Sequence, residues 1–389
     1  MIAGIGRAWG LCDTGRMLRA EASVDLDAIR ANVRRLRSSA PSAELMAVVK
    51  ADGYGHGLLP SARAALDGGA TWLGVSALEE ALALRAGGVT ARVLSWLNAP
   101  GEPLHDGVAA DIDLSVSSLW ALEETVAAAR RVGQVARIHL KVDTGLGRSG
   151  ATAAQWPDLV AAAAKAEASG EVSAVGVWSH FAYADDPGHP TIAAQVAVFG
   201  EALEVAERVG LCPRVRHLAN SAATLTLPTA HFDLVRPGIA VYGLSPVPQV
   251  STYGLRPAMT LRGRVALVKD VPAGTGVSYG HRYTTTRPTR LALIPLGYAD
   301  GVPRAASNTA EIWLAGLRRR ISGTVCMDQF AVDVGDDRVD AGERFVLFGP
   351  GDHGEPTAYD WADALHTISY EIVSRVGVRV PRTYAGVGG

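Results

Sequence analysis

Lys50 ends the apolar run Leu45-Met46-Ala47-Val48-Val49 and is followed by Gly53, Tyr54, Gly55 and Gly57. The run reads as a buried strand that delivers an amine to its open end. Burying an unpaired ammonium costs several kcal/mol or forces its pKa down, and a partly neutral lysine is what a carbonyl cofactor needs for Schiff-base formation. The three glycines let the backbone approach a ligand closely. A solvated lysine before an ordinary turn carries the same local pattern.

Other polar residues fall at comparable positions. Lys141-Val142-Asp143-Thr144-Gly145-Leu146-Gly147-Arg148 is a strand end and a glycine turn that aims Arg148, a side chain suited to gripping a carboxylate in two places. Asn220-Ser221-Ala222-Ala223 reads as a strand end entering a helix, with Ser221 as N-cap, and such an end binds phosphate or is a simple cap. Arg236-Pro237-Gly238-Ile239 offers a cation and two backbone donors. His180 and His217 sit at or beside strand ends, where satisfied core histidines are also common. No histidine pair has metal-ligand spacing with cysteines or carboxylates, so no catalytic metal is expected.

The elements that must position these residues alternate. Apolar runs lie before Lys50 and at 72–75, 93–97, 112–116, 138–142, 175–178, 215–218 and 232–235, with helix-length Ala-rich segments between them, including 78–85, 119–131, 155–168 and 191–209. Eight strands alternating with helices predict a parallel (β/α)8 barrel of TIM type, with an open doubly wound sheet as the competing arrangement. In a barrel the active site lies at the C-terminal strand ends, and Lys50, Arg148, His180, Asn220, Ser221 and Arg236 all follow runs. An amphipathic helix beginning near Asp25 and Asp27 opens the fold.

From about residue 253 the sequence becomes β-rich and punctuated by Gly and Pro, with runs at 261–271, 291–296, 311–314 and 345–348 and a helix at 361–376. The expected organisation is a flexible extension at 1–16, a barrel at 17–252 and a C-terminal, mostly β domain at 253–389, with a linker at 243–256. Met17 reads as an alternative start. Tyr279 in Ser278-Tyr279-Gly280, Tyr298 in Gly297-Tyr298-Ala299-Asp300-Gly301 and Met327 in Cys326-Met327-Asp328-Gln329 mark glycine-flanked turns there. A phenol becomes a general acid or base when a nearby cation lowers its pKa from about 10.

Composition narrows the function. The chain of 389 residues is 48% hydrophobic with a formal net charge of -2, so it buries a large core and carries no global field for nucleic acid or an anionic membrane. No apolar run approaches the roughly 18 to 20 residues that span a bilayer. Cys12, Cys212 and Cys326 form neither a CxxC pair nor a disulfide framework, which fits a cytoplasmic, reducing setting.

Taken together, residues 48–57, 141–148, Asn220-Ser221, Arg236-Pro237-Gly238, Ser278-Tyr279-Gly280, 297–301, Met327-Asp328-Gln329 and Arg379-Val380-Pro381-Arg382 resemble the alanine racemases, bacterial pyridoxal 5'-phosphate enzymes of fold type III. The likeness runs from about residue 20 to 384. It implies interconversion of L- and D-alanine by two bases, D-alanine for peptidoglycan, and a cytoplasmic homodimer whose active sites are shared. Lys50 would hold the cofactor and act on one face of the substrate Cα, and Tyr279 of the other subunit on the opposite face. Tyr54, Ser221, Gly238 and Ile239 would bind the phosphate beside Asn220, and Arg236 would meet the pyridine nitrogen with His217 behind it.

The same resemblance has His180 hydrogen-bond Tyr279, Arg148 hold the substrate carboxylate, and Tyr298 and Met327 line the pocket. Lys141 matches a family lysine carbamylated by carbon dioxide. Val378 stands where some relatives carry a phosphate-contacting tyrosine. A related decarboxylase would require an acidic partner to the pyridine nitrogen, and a single-barrel cofactor carrier would lack everything after about residue 253. A racemase of broader specificity shares all of these features.

Overall fold

The computed structural model describes residues 18–386, so the expectations for 1–16 and for Met17 and Cys12 lie outside the described residues. These residues divide into two compact units, one formed by 28–256 and the other by 18–27 with 257–386.

All eight expected barrel strands are present: Glu44–Val48, Trp72–Val75, Arg92–Ser95, Asp113–Val116, Ala136–Lys141, Val172–Trp178, Val215–His217 and Leu234–Val235. The first seven pair in parallel, each with the next in sequence, and the last pairs in parallel with the first. The remaining seam is joined by backbone bonds from Asp233 N to Arg216 O (3.1 Å) and from Arg236 N to Ala219 O (2.9 Å). The result is a nearly closed barrel, not an open sheet. Met46, Trp72, Leu94, Val175, Val215 and Leu234 fill its centre, with Trp96 packed against them.

One crossover helix is capped at both ends by its own sequence. In Leu119–Val132 the Ser118 hydroxyl accepts from Ala121 N, two arginines occupy the last turn, and Gly133 closes the helix at φ 72°. The segment after the last strand is tied to the first helix, Leu26–Ser39. The Asn32 side chain donates to Val241 O and Arg256 O and accepts from Arg256 N.

The second unit is built on a nine-stranded sheet. Its order is Leu267–Val271, Thr289–Ile294, Phe330–Gly335, Leu317–Ser322, Glu311–Leu314, Arg344–Phe348, Met259–Arg264, Ala20–Asp25 and Arg382–Ala385. Two expectations are corrected here. The fold opens on the strand Ala20–Asp25, not on a helix, and that strand pairs antiparallel with Met259–Arg264, so it belongs with the β unit. The helix expected at 361–376 is two short ones, Ala358–Ala364 and Ser369–Ser374, because His366 adopts φ +54°, a left-handed conformation that no helix continues through. Among the described residues no helix is long and apolar enough to cross a membrane.

Candidate active site

Lys50 lies two residues beyond its strand, which stops at Val48, and begins a left-handed turn. Ala51, Asp52, Gly53 and Tyr54 take φ of 53°, 54°, 62° and 52°. Left-handed backbone costs an L-residue about 1–2 kcal/mol, so three non-glycine residues persist there only under restraint. The restraints are on hand. Ala51 N donates to Glu80 Oε1 (2.5 Å), Leu58 N to Asp52 Oδ1 (2.8 Å) and Gly57 N to Asp52 O (2.8 Å). Burial and the charge of Arg148 depress the Lys50 amine below its ordinary pKa, although Glu80 acts against them, and its ammonium faces Trp96 at 5.8 Å.

A cluster of buried hydroxyl and backbone groups adjoins this turn. Val48 N donates to Pro237 O at 3.0 Å, which ties the Lys50 strand to Arg236-Pro237-Gly238. The N-cap of the helix Ser221–Thr226 is Asn220, whose side chain accepts from Ala223 N at 3.1 Å, and not Ser221 as expected. Ser221 is released for another task. Its hydroxyl accepts from Gly238 N (2.8 Å) and Ala240 N (3.4 Å). Ile239 follows, fully buried, and the buried Tyr54 hydroxyl occupies the space beside Gly238. A deep setting raises the Tyr54 phenol well above its usual pKa, so it is a hydrogen-bond donor at neutral pH.

Arg236 is buried between strand ends and held from three sides. It donates to Ser179 O (2.7 Å) and His217 Nδ1 (3.1 Å) and approaches His180 Nδ1 (3.4 Å). Burial lowers its pKa to about 9, which still leaves it cationic at neutral pH. Trp178 serves as a common plate: its indole stacks on His217 with ring centroids 5.6 Å apart, and Arg236 and Lys141 lie 4.8 Å and 4.2 Å from it.

Lys141 ends its strand and donates to Ser149 Oγ at 2.5 Å. Burial, then the charges of Arg236 and Arg148, lower its pKa to about 7. The loop that carries Arg148 is shaped by Asp143, whose carboxylate accepts from Gly145, Leu146 and Gly147 N. His180 is neutral for the same reasons: burial first, then the charges of Arg236, Arg148, Lys141 and Lys50. The charge of Arg148 therefore bears on Lys50, Lys141 and His180 together at the barrel mouth, and that of Arg236 on the last two.

In the β unit, Tyr279 stands on the ribbon Gly276–Val277 and Tyr283–Thr284, 74% exposed. Ser278 takes φ +63° and is pinned by its hydroxyl donating to Thr324 O (2.7 Å), while Tyr279 O accepts from Thr324 Oγ1 (2.8 Å). Tyr279 and Met327 line one cleft of about 670 Å³. Tyr298 N and Ala299 N donate to Cys326 O and Met327 O, which locks the two expected pocket turns together. Val378 is 97% exposed.

The barrel unit thus brings together Lys50, Tyr54, Lys141, Arg148, His180, His217, Asn220, Ser221, Arg236, Gly238 and Ile239, and the β unit brings together Tyr279, Tyr298 and Met327. Sequence reasoning passed over Glu80, Trp96, Trp178 and His139, and the last had a signal. Strand alternation puts residues 139 and 141 on one face, so a histidine two positions before an inward lysine also points inward.

The alanine racemase N-terminal domain model matches residues 24–246 and the C-terminal domain model matches 258–384. An alanine racemase of Salinispora arenicola is 66% identical over 371 residues, covering 95% of this chain and 99% of that one. One from Frankia casuarinae is 65% identical over 373 residues, covering 95% and 97%. The crystal structure of alanine racemase from D-cycloserine-producing Streptomyces lavendulae superposes with a TM-score of 0.94 at 57% identity, covering 96% of this chain and 98% of that one. With both domain models in order and relatives matched along nearly their whole length, the chain belongs to the alanine racemase family of isomerases.

Proposed function

We propose that this chain interconverts L- and D-alanine with pyridoxal 5'-phosphate in the barrel mouth, as a cytoplasmic homodimer with shared sites that supplies D-alanine for peptidoglycan. The observation that carries the reading is the pairing, within one strand-end cluster, of a lysine with a depressed pKa and an anion cradle. The cofactor fits the residues present. A Cβ at residue 238 would fall within 3 Å of the Tyr54 hydroxyl, so glycine there lets the phenol stand beside Ser221, Ile239 and the helix start that Asn220 caps, where a phosphate would be held.

Bound pyridoxal phosphate would supply an aldehyde that condenses with amines and a ring that withdraws electrons from Cα. Lys50 would take or return the Cα proton at its Nζ on one face. The partner subunit's Tyr279 would do so at its hydroxyl on the other. Two groups are required because one alone returns the proton to the side it came from. Arg236, donating to the ring nitrogen, would keep that nitrogen unprotonated and limit electron withdrawal, which favours racemisation over transamination. His180 would orient the phenol of the partner's Tyr279, Arg148 would hold the alanine carboxylate, and a carbamate on Lys141 would balance Arg148. Met327 and Tyr298 would bound the pocket.

The test is incubation of the chain and cofactor with L-alanine, L-serine and L-lysine, with D-isomer and carbon dioxide read separately. D-alanine without carbon dioxide is expected. Carbon dioxide from lysine would replace this reading with decarboxylation, and equal D-serine formation would widen the specificity.

A further inference from the structure

Behind Arg236 a file of buried side chains runs down the barrel. Arg236 Nη1 meets His217 Nδ1 at 3.1 Å, His217 Nε2 meets His139 Nδ1 at 2.8 Å, and His139 Nε2 meets Asp113 Oδ2 at 3.0 Å. Both histidines and Asp113 are fully buried. Asp113 is the first residue of its strand and so lies at the end of the barrel opposite the mouth, where Arg137 Nε (2.6 Å) and Arg92 Nη2 (2.5 Å) hold its carboxylate.

The polarity of the file follows from its ends. A carboxylate only accepts, so His139 carries its proton on Nε2 and presents a lone pair at Nδ1. His217 then donates from Nε2 and presents a lone pair at its own Nδ1, and Arg236, which only donates, meets an acceptor. Reversing either ring would set two donors or two lone pairs face to face among fully buried side chains, at the full cost of an unsatisfied buried group. Burial lowers the pKa of both rings, so neither becomes an imidazolium that would repel Arg236. Burial raises the Asp113 carboxyl, but its hydrogen bond to His139 and the flanking charges prevail and hold it at about 2.

The backbone makes room for this file. His139 and His217 lie on strands separated by Val172–Trp178, and His139 reaches across Gly176, where a Cβ would fall within 3 Å of the His139 ring. We infer that Asp113 is a positioning residue which, through His139 and His217 passing over Gly176, fixes the tautomers that aim Arg236 as a donor into the barrel mouth. The inference rests on the reading of Arg236 as the ring-nitrogen partner.

The test uses histidine labelled with nitrogen-15 in the full chain, without cofactor or substrate. The resonances of His139 and His217 are expected to report neutral rings with the proton on Nε2 in both. A proton on Nδ1 or a doubly protonated ring in either would overturn the proposal, whatever the variants do. In Asp113→Leu and Gly176→Ala the single tautomer of His217 is expected to give way to a mixture, and affinity for added pyridoxal phosphate to fall about tenfold, as it does when a supporting hydrogen-bond partner is removed elsewhere. Unchanged resonances and affinity in Gly176→Ala, which leaves the Asp113 ion pairs in place, would also overturn it if Asp113→Leu does not fold. The ring measurement and D-alanine formation by the unaltered chain are independent, so failure of one reading is distinguishable from failure of the other.

Discussion

The phenolic oxygen of Tyr54 occupies the space that a Cβ on Gly238 would need, with less than 3 Å between the two positions. Gly238 has a negative φ of -112°, outside the left-handed region, and the obstacle to a side chain there is Tyr54. Gly238→Ala should therefore displace the phenol. Overpacking of this kind costs about 1–3 kcal/mol, and it should disrupt the cradle proposed for the phosphate. Thermal melting and titration with pyridoxal phosphate should both show the loss, and an unchanged affinity would mean that the cradle is not the phosphate site.

The left-handed turn at residues 51–54 predicts a stabilising substitution. Ala51 at φ 53° pays a steric penalty that glycine avoids, while its backbone bond to Glu80 needs no side chain at 51. Relief of about 1–2 kcal/mol exceeds the roughly 0.5–1 kcal/mol entropic cost of a glycine. Ala51→Gly should raise the denaturant midpoint slightly, and a clear fall would show that the turn is not strained at that position.

Lys141 makes a prediction about pH. Carbon dioxide adds only to a neutral amine: the nitrogen lone pair forms an N–C bond, one C=O π pair moves to oxygen, and a nitrogen proton leaves to solvent. Because the Lys141 pKa lies at about 7, far below the ordinary lysine value of 10.5, its neutral fraction grows as pH rises through neutrality. With carbon-13 bicarbonate at fixed dissolved carbon dioxide, a carbamate resonance should grow from pH 6 to 8 and be missing in Lys141→Gln. A signal that persists in that variant would assign it elsewhere.

Sharing of the site between subunits is tested by mixing. Lys50→Ala and Tyr279→Phe should each be nearly inactive alone, whereas a mixed dimer with shared sites would contain one site with both wild-type residues. Racemisation should return after subunit exchange. Exchange without recovery would place Lys50 and Tyr279 of the same chain in one site.

Much of the barrel was legible because burial imposes repetition. Eight apolar runs, spaced by helices long enough for parallel crossovers, admit few closures, and polar residues just after the runs mark the mouth. What escaped depended on partners remote in sequence. Ala51 and Asp52 take conformations against their own propensities, and the hydrogen bond that holds Ala51 comes from Glu80. Asp113 and His139 sit in strands with no motif around them, and only the folded barrel lines them up with His217 and Arg236. The strand Ala20–Asp25 pairs with residues near 260, a partnership that local pattern does not announce. Asn220 and Ser221 are both competent caps, and the competing bond from Gly238 N to Ser221 decides between them.

Replacement of Tyr279 by Phe, followed by separate measurement of Cα-proton exchange into deuterium oxide from L-alanine and from D-alanine, addresses the two-face assignment most directly. Loss of the phenolic hydroxyl should slow proton removal from one enantiomer far more than from the other, because Lys50 still serves its own face. Equal losses for the two enantiomers would contradict the pairing of Lys50 with Tyr279.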